Sequence, residues 1–139
     1  TYRQDKGELK MILETSFVID FLKGENDAIS KMQSLMYENI TYEIAAPTIF
    51  ELWGGLEILE NAQKEREKII SLTEGLIVYP LDEESAKIAG KIDGELVRKG
   101  QKIDPEDCMI AGIAITNNKK VLTRDQHFSR IEWLRVESY

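Results

Sequence analysis

The chain has 139 residues, of which 42% are hydrophobic and 31% charged, so we expect one globular domain with its own core. Its 25 acidic and 18 basic residues give a formal net charge of −7, which argues against a broad non-specific nucleic-acid-binding surface. The single cysteine excludes an internal disulfide and a cysteine-based zinc site, and no apolar run approaches the roughly 18 residues of a membrane span.

The N-terminal residues are polar and lack the apolar middle of a signal peptide. We therefore expect residues 1–10 to be a leader or a tag remnant, Met11 to be the natural start, and residues 11–139 to form one cytoplasmic domain. The run Lys10-Met11-Ile12-Leu13 overlaps the end of this leader and is apolar almost throughout. Such a run predicts a strand that is buried on both faces.

Helical and strand patterns alternate along the rest of the chain. In order, they predict a helix capped by Ser16 and ended by Gly24, a helix over 25–38, a strand over Tyr42–Ala46, a helix from Pro47 to Asn61, a helix around 64–68, a strand over Leu76–Pro80, a helix from Asp82 to Lys99, a helix from Pro105 to Asn117, a strand over Lys120–Thr123 and a strand over Trp133–Val136. Asp20 interrupts the apolar face of the first helix and is interpreted as a surface acid. The alternation predicts an α/β fold with a mainly parallel sheet covered on both faces.

Residues 103–125 place acids at the start of a helix and at the end of a strand. Pro105 suits the first helical position, and Asp104 before it can cap the free backbone N–H groups. Asp107 is three residues after Asp104 and shares its face of the first turn. Asp125 lies just past the following strand. Helix N-termini and strand C-termini are where open α/β sheets place their ligands.

Four acids occupy positions that a surface acid would not obviously take. Glu14 and Asp125 come directly after apolar strands, and Glu51 and Asp107 lie on otherwise uncharged helical stretches, with Asp104 beside the latter. Each alone is equally well explained as a helix cap or a surface charge. As a convergent set they would repel one another, which a cation relieves, and all-oxygen ligands favour Mg²⁺ or Mn²⁺. Such a cluster suits phosphodiester hydrolysis.

Four segments in this order resemble the PIN-domain ribonucleases, and most of all the VapC toxins of VapBC toxin–antitoxin pairs. They are MILETSFVIDFLKG (Met11–Gly24), FELWGG around Glu51, DPEDCMIAGIAI around Asp107 and VLTRDQHF (Val121–Phe128). Each motif alone is weak, but four in this order and spacing are specific. The resemblance covers nearly all of residues 11–137.

The resemblance implies an α/β/α sandwich with four to five short strands, a homodimer and a basic antitoxin partner, which the negative charge would suit. It implies a metal-dependent endoribonuclease in which a metal-activated water cuts single-stranded RNA. Carried over by motif, the acids that bind one or two Mg²⁺ or Mn²⁺ ions are Glu14, Glu51, Asp107 and Asp125, with Asp104 as an extra outer ligand and Ser16 and Thr123 as supporting polar groups.

The first acid departs from the family pattern, in which Asp usually stands where this chain has Glu14. The longer side chain moves the carboxylate by about 1.5 Å, which is enough to disturb a metal site of tight geometry. The alternative hypothesis is therefore a PIN-like domain that binds RNA or an antitoxin but cleaves weakly.

A phosphoacceptor receiver domain also gathers acids around Mg²⁺ at strand ends. It would need a phosphorylatable Asp at the end of a central strand and a Lys after a late one. Here the clearest strand ends in Tyr79-Pro80, and the last is followed by Glu137-Ser138-Tyr139. The pattern therefore favours the nuclease.

Overall fold

A five-stranded parallel sheet forms the centre of the computed structural model, which describes residues 10–139. The strands are β1 (Lys10–Leu13), β2 (Thr41–Ala45), β3 (Val78–Tyr79), β4 (Lys120–Leu122) and β5 (Val136–Glu137). Their spatial order is β3-β2-β1-β4-β5, and every neighbouring pair is parallel. Lys10, the last residue of the predicted leader, opens β1, and the rest of that leader lies outside the described residues.

Six α-helices connect the strands in the described part of the chain. They are α1 (Thr15–Leu22), α2 (Asn26–Tyr37), α3 (Ala46–Ile58), α4 (Gln63–Thr73), α5 (Glu83–Arg98) and α6 (Pro105–Thr116), and a short 3₁₀-helix over Gln126–Arg130 follows β4. Between residues 10 and 139, none of the helices combines the length and the apolar character needed to cross a bilayer.

The alternation of side chains along β1 divides the core into two halves. Ile12 packs with the residues of α5 and α6 on one face of the sheet, and Met11 and Leu13 pack with α1 and α2 on the other. All three side chains are buried, as expected for a central strand covered on both faces. The predicted three-layer α/β/α sandwich is therefore confirmed, with five strands.

The two edge strands differ from their predicted ranges. The strand predicted over Leu76–Pro80 is reduced to Val78–Tyr79, because Leu76 N–H still donates to Thr73 O at 3.1 Å in a turn and Pro80 has no N–H with which to extend the ladder. The last strand is Val136–Glu137 rather than Trp133–Val136, since the chain turns before it and Leu134 N–H donates to Ile131 O at 3.3 Å. Short edge strands carry too few residues for composition to locate their ends.

The helix caps also correct two predictions. Helix α1 is capped by Glu14, whose side chain accepts from the Ser16 N–H, and not by Ser16 itself. Asp104 occupies the cap position of α6, but its side chain makes no capping hydrogen bond. Both acids therefore lie at helix N-termini, where the partial positive charge of the helix favours carboxylates.

Candidate active site

The parallel sheet brings the predicted acids to its carboxyl-terminal end, because the carboxyl ends of parallel strands lie on the same side. Glu14 directly follows β1, and Asp125 follows β4 after two residues. Glu51 lies in the second turn of α3, which starts immediately after β2, and Asp107 lies in the first turn of α6. This carboxyl-terminal end of the sheet is where open α/β sheets bind their ligands.

Glu14 is buried, with 4% of its surface exposed, and both oxygens of its carboxylate accept hydrogen bonds. The Ser16 N–H donates to Oε2 at 3.0 Å, and the Ser16 hydroxyl donates to Oε1 at 2.5 Å. The Thr123 hydroxyl also donates to Oε1. These hydrogen bonds to an ionised acceptor are of the strong, charge-assisted kind, so they hold the longer Glu side chain in one position.

Thr123 joins the first acid to the last. Its hydroxyl donates to Glu14 and accepts from the Asp125 N–H at 2.9 Å. The Asp125 carboxylate in turn accepts from the His127 N–H at 2.9 Å and lies 3.0 Å from His127 Nδ1. The two residues expected to support the site, Ser16 and Thr123, are therefore both in direct contact with Glu14.

Glu51 is held by threonines that sequence reasoning missed. The Thr15 hydroxyl donates to Glu51 Oε1 at 2.7 Å and lies 3.0 Å from the hydroxyl of the fully buried Thr48. Burial raises the pKa of Glu51, the hydrogen bond from Thr15 opposes that rise, and the charge of Glu14 adds to it. The available signal was a threonine at the start of each of two apolar helices, Thr15 in α1 and Thr48 in α3.

Asp107 is the acid whose environment most disfavours its charge. It is 8% exposed, and burial, followed by the nearby charges of Glu14, Asp125 and Glu51, raises its pKa to about 7. Asp104 is exposed and contributes least to this rise. The mutual influence of these carboxylates shows that the four motifs converge, as the order of strands and helices predicts.

Within residues 10–139, Glu14, Glu51 and Asp107 form no ion pair with a lysine or arginine. Their oxygens are the donor set that Mg²⁺ and Mn²⁺ prefer, so the residues present fit such an ion chemically. In the positions described, however, no three Asp, Glu, His or Cys side chains are arranged to hold one, so binding requires side-chain movement.

Asp20, interpreted above as a surface acid, is instead buried, with 4% of its surface exposed. Its carboxylate accepts from the Tyr139 hydroxyl at 2.6 Å and lies 3.2 Å from Arg124. The interpretation was wrong because the partners that make burial of this charge tolerable come from the other end of the chain.

The comparisons of this sequence and structure with known proteins agree with one another. The sequence matches the family described as PIN domain over residues 11–134. The tRNA(fMet)-specific endonuclease VapC of Salmonella typhimurium is 32% identical over 136 residues, 94% of this chain and 98% of that protein. Ribonuclease VapC1 of Methanocaldococcus jannaschii is 28% identical over 97% of this chain and 90% of its own length. The DNA-bound VapBC structure from Salmonella typhimurium is similar at a TM-score of 0.82 and 29% identity, over 93% of this chain and 97% of that one.

Proposed function

This chain belongs to the PIN-domain family, and on that premise we propose that it is a metal-dependent endoribonuclease that cleaves single-stranded RNA as the toxin of a toxin–antitoxin pair. One observation carries the proposal: a buried Asp107 whose pKa is raised to about 7 by burial and by the charges of four carboxylates around it. Apart from His127 beside Asp125, no basic side chain within residues 10–139 pairs with these acids, and such a group is unfavourable unless a cation joins it. The names of the two relatives, an endonuclease and a ribonuclease, support the reaction class.

The proposed ligands of Mg²⁺ or Mn²⁺ are Glu14, Glu51, Asp107 and Asp125, with Asp104 as an outer ligand. A bound ion of this kind lowers the pKa of water and stabilises charge on the attacking and leaving oxygens of a phosphodiester. The chain itself supplies orientation. Thr15 fixes Glu51, and Thr123 fixes Glu14 relative to Asp125, so that the carboxylates are directed by hydroxyl groups from neighbouring elements.

We propose RNA in single-stranded form, including loops, because the family resemblance implies it and the unpaired bases and backbone of such segments are accessible to a protein surface. Two relatives act, by their names, on tRNA(fMet) and on RNA. A transfer RNA and an unstructured oligonucleotide are therefore the first two substrates to compare.

The direct test is cleavage of labelled single-stranded RNA and of a transfer RNA with Mg²⁺ or Mn²⁺. We expect cleavage that is lost in EDTA and reduced by more than about 100-fold in Glu51→Gln. Glu57→Gln is a matched control, since it removes an exposed acid from the same helix, and it should cleave like the wild type. Cleavage that persists in EDTA, or an equal loss in both variants, would contradict the proposal.

The weakly cleaving alternative is tested at Glu14. We expect Glu14→Asp to cleave within about tenfold of the wild type, because Asp also caps helices well and hydroxyl donors remain nearby. Glu14→Gln should lose more than about 100-fold, since it removes the charge but keeps the length. A large gain of activity in Glu14→Asp, over an inactive wild type, would instead identify a PIN nuclease that Glu14 has weakened.

We also propose a basic antitoxin partner, a homodimer and a cytoplasmic location. A structurally similar protein is a VapBC complex, and the net charge of −7 suits a basic partner. A cavity of about 520 Å³ between α1, α3 and α4 is lined mainly by apolar side chains, including Ile19 and Leu56, and reaches Glu51. A partner helix seated there would lie beside the acids. The homodimer rests on the family resemblance, and light scattering of the purified chain tests it.

A further inference from the structure

A buried carboxylate holds an arginine beside the acids of the candidate site. Asp20 lies in α1, one turn after Ser16, and has 6% of its side chain exposed. Its Oδ2 accepts from the Tyr139 hydroxyl at 2.6 Å and lies 3.2 Å from Arg124 Nη1. Arg124 directly precedes Asp125, so the guanidinium is attached to the same short segment as one of the acids.

The outer part of this arginine is open to solvent. The Arg124 side chain is 61% exposed, and its ion pair with Asp20 involves Nη1 alone. A guanidinium carries five N–H donors in a planar fork that matches the geometry of a phosphate. A salt bridge to a buried partner restricts the rotamers of a long side chain in advance, which lowers the entropy lost when it binds a ligand.

We propose that Arg124 is a phosphate-binding residue of the RNA path, and that Asp20 is the positioning residue that holds it there; the inference rests on the proposed function. The surroundings show why such a residue is required. The acids at this end of the sheet repel the backbone phosphates of RNA, and a cleft of about 360 Å³ beside Arg124 is also lined by Glu25 and Asp27. Arg124 is the one basic residue among those that line it in the described structure.

Tyr139 makes the position of Asp20 independent of Arg124. Its ring packs edge-on against Phe17 with 4.9 Å between centroids, and its hydroxyl donates to the carboxylate. Burial, followed by the hydrogen bond to Asp20, raises the pKa of Tyr139, so the hydroxyl keeps its proton and remains a donor. Asp20 is therefore already fixed when it receives the guanidinium.

The test measures binding of a short fluorescein-labelled single-stranded RNA, in an Asp107→Asn background that prevents cleavage, over a series of KCl concentrations. We expect Arg124→Gln to weaken binding about tenfold and to reduce the slope of log affinity against log salt by about 0.7, the value for one phosphate contact on a single strand. Arg124→Lys should restore the slope and part of the affinity, because it restores the charge without the fork.

Arg135→Gln is the matched control. Arg135 is also exposed, but it hydrogen-bonds Asn118 at the amino-terminal end of the sheet, just before β4 and β5 begin. The substitution Arg135→Gln changes the net charge by the same amount as Arg124→Gln. It should leave both the RNA affinity and the salt slope close to those of the unsubstituted Arg135 protein.

A double-mutant cycle tests the positioning role of Asp20. Asp20→Asn should weaken RNA binding about threefold when Arg124 is present and have no further effect in Arg124→Gln, since it acts through that residue. Asp20→Glu should recover part of the loss. Additive losses, which a purely structural role of Asp20 would produce, would overturn the positioning assignment.

The outcomes separate this inference from the proposed function. Equal binding and equal slopes in Arg124→Gln and Arg135→Gln overturn the inference even where the wild type cleaves RNA. RNA binding that depends on Arg124, in a protein that cleaves no RNA, supports the inference and overturns the nuclease. A protein that does not bind RNA overturns both.

Discussion

Asp107→Asn is expected to reduce RNA cleavage by more than about 100-fold, and at the same time to stabilise the metal-free protein at neutral pH. The two effects have one cause. Asp107 is buried among the charges of Glu14, Asp125 and Glu51, which would serve a bound cation but destabilise the folded chain without one. The unsubstituted protein thus carries at this position a destabilising group that the proposed function would require.

The sign follows from proton binding. The pKa of Asp107 is about 7 in the folded protein, against an ordinary value of 3.8, so between these values the folded state binds more protons than the unfolded state. Stability therefore falls as pH rises from about 4 to about 7, and the full loss is present above the folded pKa. Asn carries no such charge. After discounting for solvent screening, we expect the variant to be about 2 kcal/mol more stable at pH 8, or about 7 °C in Tm.

Thermal unfolding in EDTA between pH 4 and pH 8 measures this difference. Asp27→Asn is the matched control, because Asp27 also lies in the first turn of a helix but is exposed. It should show only a small loss of stability, because an acid near a helix N-terminus interacts favourably with the helix dipole. Addition of Mg²⁺ or Mn²⁺ should raise the Tm of the wild type and leave Asp107→Asn unchanged. A variant that is less stable than the wild type in EDTA at pH 8 would contradict the account.

Hydrophobic periodicity predicts most of this fold, because each long element buries a regular stripe or face. The central strand over Lys10–Leu13 and the helix predicted from Asp82 to Lys99, observed as Glu83–Arg98, have clear patterns and are close to their predicted ranges. Once a parallel sheet is inferred, the convergence of acids at strand ends follows from topology alone. The sequence pattern therefore predicts that Glu14, Asp107 and Asp125 lie at the same end of the sheet, although it does not predict their contacts.

What the sequence does not predict is which polar groups are buried. Asp20 is tolerated inside because Tyr139 and Arg124 reach it from more than 100 residues away. Glu43 in β2 is 1% exposed for a similar reason: the Tyr79 hydroxyl donates to it at 2.8 Å, and Lys119 Nζ lies 3.5 Å from it. Such partners come together only in the assembled sheet, so the local sequence pattern does not predict them.

The use of Glu14 as the cap of α1 is a further case. The sequence offers Ser16 as the more usual capping residue, and a Glu at a strand end predicts a ligand rather than a cap. In the structure the Glu14 side chain folds back at the end of β1, and its carboxylate accepts from the Ser16 N–H at 3.0 Å and caps the helix. The departure from Asp in the family pattern is thus accommodated by local hydrogen bonding.

Gly112→Ala is expected to destabilise the protein by about 3 kcal/mol, or about 10 °C in Tm, because α5 and α6 pack backbone to backbone at this residue. A Cβ added to Gly112 would lie 2.5 Å from the Ser85 carbonyl oxygen and 3.0 Å from the Ala89 nitrogen, and neither backbone atom can move without shifting a helix. Since Asp107 lies in α6 as well, that shift should also reduce cleavage. Urea unfolding measures the loss, and Gly90→Ala is the control: nothing lies within 4 Å of its Cβ, so it should gain about 0.5–1 kcal/mol from helix propensity. Equal effects at the two glycines would show that the helices separate at little cost, and the position of Asp107 would then not depend on this contact.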